Sequence, residues 1–170
     1  MRELINTTHV IKSVGRFERS NEFYAVAKRR DTANMVESLH KISRWNKTGS
    51  MIPWIAVTVC ERQFISFVRE GPLPNELLIG GKNTVEIIGT SGQTLRRCSV
   101  NGFVASIENI GELIYISSVN DTSYLVDRTL KHLDSVPFGS KHTSKTLHFN
   151  DKIVLHRDAL KPSVLEVKQI

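Results

Sequence analysis

The sequence predicts an α+β protein, rich in β: an antiparallel sheet with one main amphipathic helix, plus a small antiparallel β-barrel. Three observations lead there. Short apolar runs with many Val and Ile residues, several alternating with polar ones, recur along the 170-residue chain. One stretch, 32–47, instead places its apolar residues at helical spacing. The stretch 80–118, GGKNTVEIIGTSGQTLRRCSVNGFVASIENIGELIYISS, is cut by glycines into short strands joined by tight turns.

Residues 8–14 (THVIKSV) read as a first strand that ends at Gly15. Phe23, Ala25 and Ala27 alternate with Tyr24, Val26 and Lys28, as in a half-buried strand. That strand runs into the cationic triplet Lys28, Arg29 and Arg30. Asp31 or Thr32 then offers a side-chain oxygen to cap a helix over 32–47. In it Met35, Val36, Leu39, Ile42 and Trp45 face a core, with Glu37, His40, Lys41, Arg44 and Lys47 opposite. Thr48-Gly49 is its stop signal.

Residues 52–59 (IPWIAVTV) and 63–68 (QFISFV) are the most hydrophobic runs. The first is nearly continuous, as in a strand buried on both faces, and Trp54 within it reads as core. Cys60-Glu61-Arg62 would turn one run onto the other as a hairpin. The segment 69–75 (REGPLPN) is a rigid connection and marks a boundary. It separates an N-terminal α+β unit over 1–70 from a β-rich, barrel-like unit over 76–170.

In the second unit Val85, Ile87 and Ile88 form a strand stopped by Gly89, and Ser91-Gly92 is a turn. Residues 95–100 follow, then Asn101-Gly102, the dipeptide that most readily supplies a hairpin's positive φ angles. Residues 103–107 and 113–116 continue the sheet around Gly111. Val126, Leu130 and Leu133 suggest a brief helix over 127–134. Residues 147–149 and 152–156 read as strands around Asn150-Asp151, with 163–167 as a last edge strand.

No apolar run approaches the roughly 18 residues of a membrane-spanning helix, so no membrane association is expected. The N-terminus lacks the apolar stretch of a secretory signal, which points to the cytoplasm. Cys60 and Cys98 stand alone without a CxxC pair or an HExxH element, so two buried free thiols are expected. No metal or other cofactor is implied.

The net charge of +6 argues for an anionic partner, and its distribution says where. Residues 1–62 hold 11 Lys/Arg against 6 Asp/Glu, 63–127 hold 4 against 7, and 128–170 hold 8 against 4. Both ends are basic around an acidic middle. The expected nucleic-acid contacts are Lys28, Arg29, Arg30, Lys41, Arg44 and Lys47 from the first end. Lys141, Lys145, Lys152 and Arg157 would contribute from the second, with Arg96 and Arg97 in between.

Catalytic signatures are missing: there is no GxxxxGK[ST], no GxGxxG after a strand and no GxSxG. His142, His148 and His156, flanked by lysines and Arg157, are the material of a metal-independent endoribonuclease. The same residues also suit a basic sheet face that touches phosphates without chemistry, and we prefer that reading.

The pattern NTVEIIGTSG, then NGFVASIEN and ELIYIS, resembles a KOW- or Tudor-type SH3-like barrel, with Gly89, Gly92 and Gly102 at its turns. The resemblance implies binding of RNA, DNA or protein in transcription or translation machinery. In size, charge and module the chain is also similar to small basic phage early DNA-binding proteins of the MotB type. The expectation is a non-enzymatic protein that binds nucleic acid non-specifically through phosphates, double-stranded DNA before RNA. Compaction of DNA or modulation of transcription in the nucleoid would follow, with a protein partner there. A protein-binding inhibitor module, docking through the acidic middle, is the reading from another class.

Overall fold

In the computed structural model, residues 9–17, 19–20, 22–29, 36–45, 48–119, 122–137, 143–150, 153–158 and 165–169 are described, the last three stretches as backbone alone. The first elements are all strands. The strands β1 (His9–Arg16), β2 (Phe23–Arg29), β3 (Glu37–Trp45) and β4 (Met51–Arg62) form a four-stranded antiparallel sheet in chain order. The helix expected over 32–47 is overturned: its central residues are β3, and no helix occurs among the described residues. Val36, Leu39, Ile42 and Trp45 recur every three residues, which imitates a helical stripe. Consecutive Glu37, Ser38, Leu39 and His40 are all buried, so both faces of the strand are covered and its period of two is masked.

Seven further strands form one open antiparallel sheet in chain order. They are β5 (Phe67–Glu70), β6 (Glu76–Gly80), β7 (Lys82–Gly89), β8 (Thr94–Ile110), β9 (Leu113–Ser118), β10 (Thr122–Asp127) and β11 (His132–Pro137). β8 carries two ladders: its first part, through Phe103, pairs with β7, and Val104 onward pairs with β9. The seven strands are thus two four-stranded meanders that share one strand. Gly102 sits at the changeover with φ of 88°, a conformation that a side chain would strain. There the Asn101 N–H donates to the Tyr124 hydroxyl (2.7 Å) and the Gly102 N–H to Asn83 Oδ1 (2.9 Å). Asn101-Gly102 therefore bends a continuous strand and does not close the expected hairpin. The SH3-like barrel is corrected with it, since these strands remain an open sheet.

Two local expectations change as well. Residues 127–134 form a turn and the start of β11: Asp127 Oδ1 accepts from the backbone N–H groups of Thr129 (2.7 Å) and Lys131 (3.0 Å). A carboxylate reaching back to its own turn competes with helix formation. The hairpin expected between 52–59 and 63–68 is absent, because β4 pairs with β3 and β5 with β6. The strands β12 (Thr143–Asn150), β13 (Ile153–Asp158) and β14 (Leu165–Gln169) complete a three-stranded antiparallel sheet.

The chain divides into two units, Met1–Ile65 with Thr90–Gln93, and Ser66–Gly89 with Thr94–Ile170. In the second, Leu78, Val85, Ile87, Ile107, Ile116 and Val126 are sealed from solvent. Each such side chain contributes about 1.5–3 kcal/mol of burial. In the first, Val26, Leu39, Cys60 and Ile65 are buried. Cys60 and Cys98 are buried free thiols, and burial pushes Cys98 up to about 11. Among the described residues no helix is long and apolar enough to cross a membrane.

Candidate interaction surface

The register of the first sheet fixes which side chains share a face. Arg16, Phe23, Ile42 and Ala56 make one cross-strand row, and Val14, Ala25, His40 and Thr58 make the next. Trp54, two residues before Ala56, meets Phe23 with ring centroids 5.7 Å apart. Trp54 was expected in the core, yet 39% of it is exposed, like Phe23, and Val14 is 70% exposed. For Trp54 and Val14 edge position contributes: β4 and β1 border the sheet, so their apolar residues are covered on fewer sides than a central strand's.

Val14, Arg16, Phe23, Tyr24, Ile42 and Trp54 line an open apolar hollow of about 620 Å³. Gly15, also in the lining, makes room for the Tyr24 ring. A Cβ there would lie 2.4 Å from the Tyr24 ring, its partner across the β1–β2 ladder. The Arg44 guanidinium stands 5.6 Å over the Trp54 ring at the border of the hollow.

The row beside the hollow is closed by hydroxyls. Ser38 Oγ donates to the Ala27 carbonyl (3.3 Å), so it accepts from His40 Nε2 (2.9 Å). That leaves His40 Nδ1 to accept from Thr58 Oγ1 (3.2 Å). Desolvation first, and the His9 charge second, hold His40 below its ordinary value, against an opposing effect of Glu61. The result is a neutral structural imidazole with both nitrogens engaged.

The expected phosphate contacts are dispersed. Lys28 and Arg29 end β2, while Lys41 and Arg44 lie toward the far end of β3. Alternation puts Lys28 and Lys41 on one face of the sheet and Arg29 and Arg44 on the other. Lys41 is paired with Glu22 (2.7 Å), Arg96 with Glu76 (3.1 Å) and Arg97 with Glu86 (2.5 Å). Arg30, Lys47, Lys141, Lys152 and His142 lie outside the described residues, and Lys145, His148, Arg157 and His156 are described as backbone in β12 and β13. Among the described residues no cluster of His, Cys, Asp and Glu could hold a metal ion. Lys12, not singled out in the sequence, makes an ionic clamp in the first unit: its Nζ meets both Glu37 oxygens at 2.9 Å and the Ile65 carbonyl at 3.0 Å.

No family model matches the chain, and no curated protein does. Solved structures do. Sqt1 of Saccharomyces cerevisiae matches 95% of this chain and 46% of its own, with a TM-score of 0.66 at 10% identity. BamB of Moraxella catarrhalis matches 88% and 40%, with a TM-score of 0.57 at 12% identity. The computationally designed Ika4 matches 99% and 96%, with a TM-score of 0.61 at 18% identity. Sqt1 and BamB are of the β-propeller type, the fold this chain is similar to. Four-stranded antiparallel meanders such as β1–β4 are its repeating blades. The chain spans less than half the length of Sqt1 and BamB. These likenesses show the fold alone.

Proposed function

We propose that the chain is a non-catalytic interaction module that binds a protein partner through the apolar face of its first sheet. One observation carries the reading: Val14, Phe23 and Trp54 are exposed together around an apolar hollow of about 620 Å³. Clustered apolar exposure of this kind marks interaction sites on otherwise polar surfaces. The propeller-type neighbours support a scaffold role over catalysis, and the buried free thiols support a reducing cytoplasm.

The test is selection from a displayed random-peptide library on the immobilised full chain, with Val14→Glu and Trp54→Ala chains as counter-screens. Enriched peptides should bind the parent chain and lose at least tenfold in affinity on either variant. Enrichment indifferent to both variants refutes the assignment.

Nucleic-acid binding is the second reading, favoured by the exposed Arg29 and Arg44 and the charge of +6. A shift assay on duplex DNA, single-stranded DNA and RNA tests it. With about six phosphate contacts, affinity falls on the order of a thousandfold between 50 and 200 mM salt.

A further inference from the structure

We infer that the hollow takes an acidic peptide segment of a partner protein, one aromatic or large aliphatic side chain seated on Phe23 and Trp54, its carboxylates toward Arg44. This deepens the protein-binding reading and rests on it.

Size comes first. A hollow of about 620 Å³ falls within the roughly 300–1,000 Å³ of ligand clefts and exceeds what one water-filled crevice needs. Besides Arg16 and Tyr24, the lining side chains Val14, Phe23, Ile42 and Trp54 offer no hydrogen-bonding group except the indole N–H, so the seated group is mainly apolar. Charge then selects what surrounds that group. Arg44 stands over Trp54, and the described carboxylates of this sheet's ion pairs hold lysines. Glu22 holds Lys41 at 2.7 Å and Glu37 holds Lys12 at 2.9 Å. Among the described residues no carboxylate pairs with Arg44, whose planar guanidinium is suited to two parallel bonds to one carboxylate. A second copy of the chain fits less well, since two such faces would bring Arg44 toward Arg44.

The test is fluorescence anisotropy of the full chain with three labelled heptapeptides. One has a central Phe flanked by Asp and Glu, the second replaces Phe by Ala, and the third replaces the acids by Lys. The acidic Phe peptide should bind at least tenfold tighter than either control. Val14→Glu and Trp54→Ala, checked for folding by circular dichroism, should each weaken it at least tenfold. Arg44→Glu should weaken it and improve binding of the Lys peptide, a reversal that mere misfolding would not produce.

Equal binding of Phe and Ala peptides overturns the seated anchor. Trp54-dependent binding that ignores peptide charge overturns the acidic partner while leaving the protein-binding reading intact. If no peptide binds and Val14→Glu abolishes a dimer seen by sedimentation, the occupant is a second copy. If single-stranded DNA alone binds with the same Trp54 dependence, it is nucleic acid.

Discussion

Replacing Lys12 with Met would leave the Glu37 carboxylate buried with the Ile65 N–H, 2.7 Å away, as its remaining described donor. Stripping a buried ion of its partner costs about 3–5 kcal/mol. Lys12 keeps 35% of its side chain in solvent, so water screens the pair, and about half of that, roughly 1.5–2.5 kcal/mol, is expected. With about 2 kcal/mol per molar of urea, the unfolding midpoint should drop by about 1 M. Both tryptophans of the chain, Trp45 and Trp54, lie in the first unit, so their fluorescence reports on the unit that holds the pair. Lys12→Met combined with Glu37→Gln should recover at least about 1 kcal/mol relative to additivity, because the stranded charge is gone. A single-variant loss below about 0.5 kcal/mol, or strictly additive losses, would refute the clamp.

Three further outcomes are expected. His40 is held below 6.5 in the folded chain, so as pH falls the unfolded chain takes up its proton first. Stability from this group is complete above about 6.5 and declines below it; urea midpoints should fall on acidification, less steeply in His40→Gln, and an unchanged slope assigns the loss to other groups. Cys98, pushed up to about 11 by burial, should react with a disulfide reagent at pH 8 far more slowly in the folded protein than in urea; equal rates would show it accessible. Gly102→Ala, at φ of 88°, should cost about 1–2 kcal/mol by thermal melting, and a neutral substitution would show that the strand bends without it.

Strands that carry a visible alternation were legible in the sequence. β1, β2, β12 and β13 fall where the residue pattern places them, the last two around Asn150. β3 was not, because its polar residues are buried: Ser38 and His40 satisfy one another, so polarity no longer marks the solvent face. β8 was misread because the glycine of Asn-Gly supplies positive φ equally to a hairpin and to a bend, and only the acceptors its N–H groups find, Asn83 Oδ1 and the Tyr124 hydroxyl, distinguish the two. The hollow was hidden for the opposite reason. A run such as IPWIAVTV looks like core until the sheet order shows it to be a border. Position in the chain made the lysines and arginines look like two charged arms, but register assigns them to different faces and several to carboxylates.

The continuity of β8 also governs how the second unit comes apart. A strand held by β7 along its first part and by β9 along the rest cannot leave one neighbour without loosening the other. Both meanders should open as one cooperative block, with the amide protons of β8 that are bonded in the two ladders exchanging at a common slow rate. Mechanical load applied to one meander would likewise travel down a single peptide backbone into the next, with no flexible joint between them to absorb it.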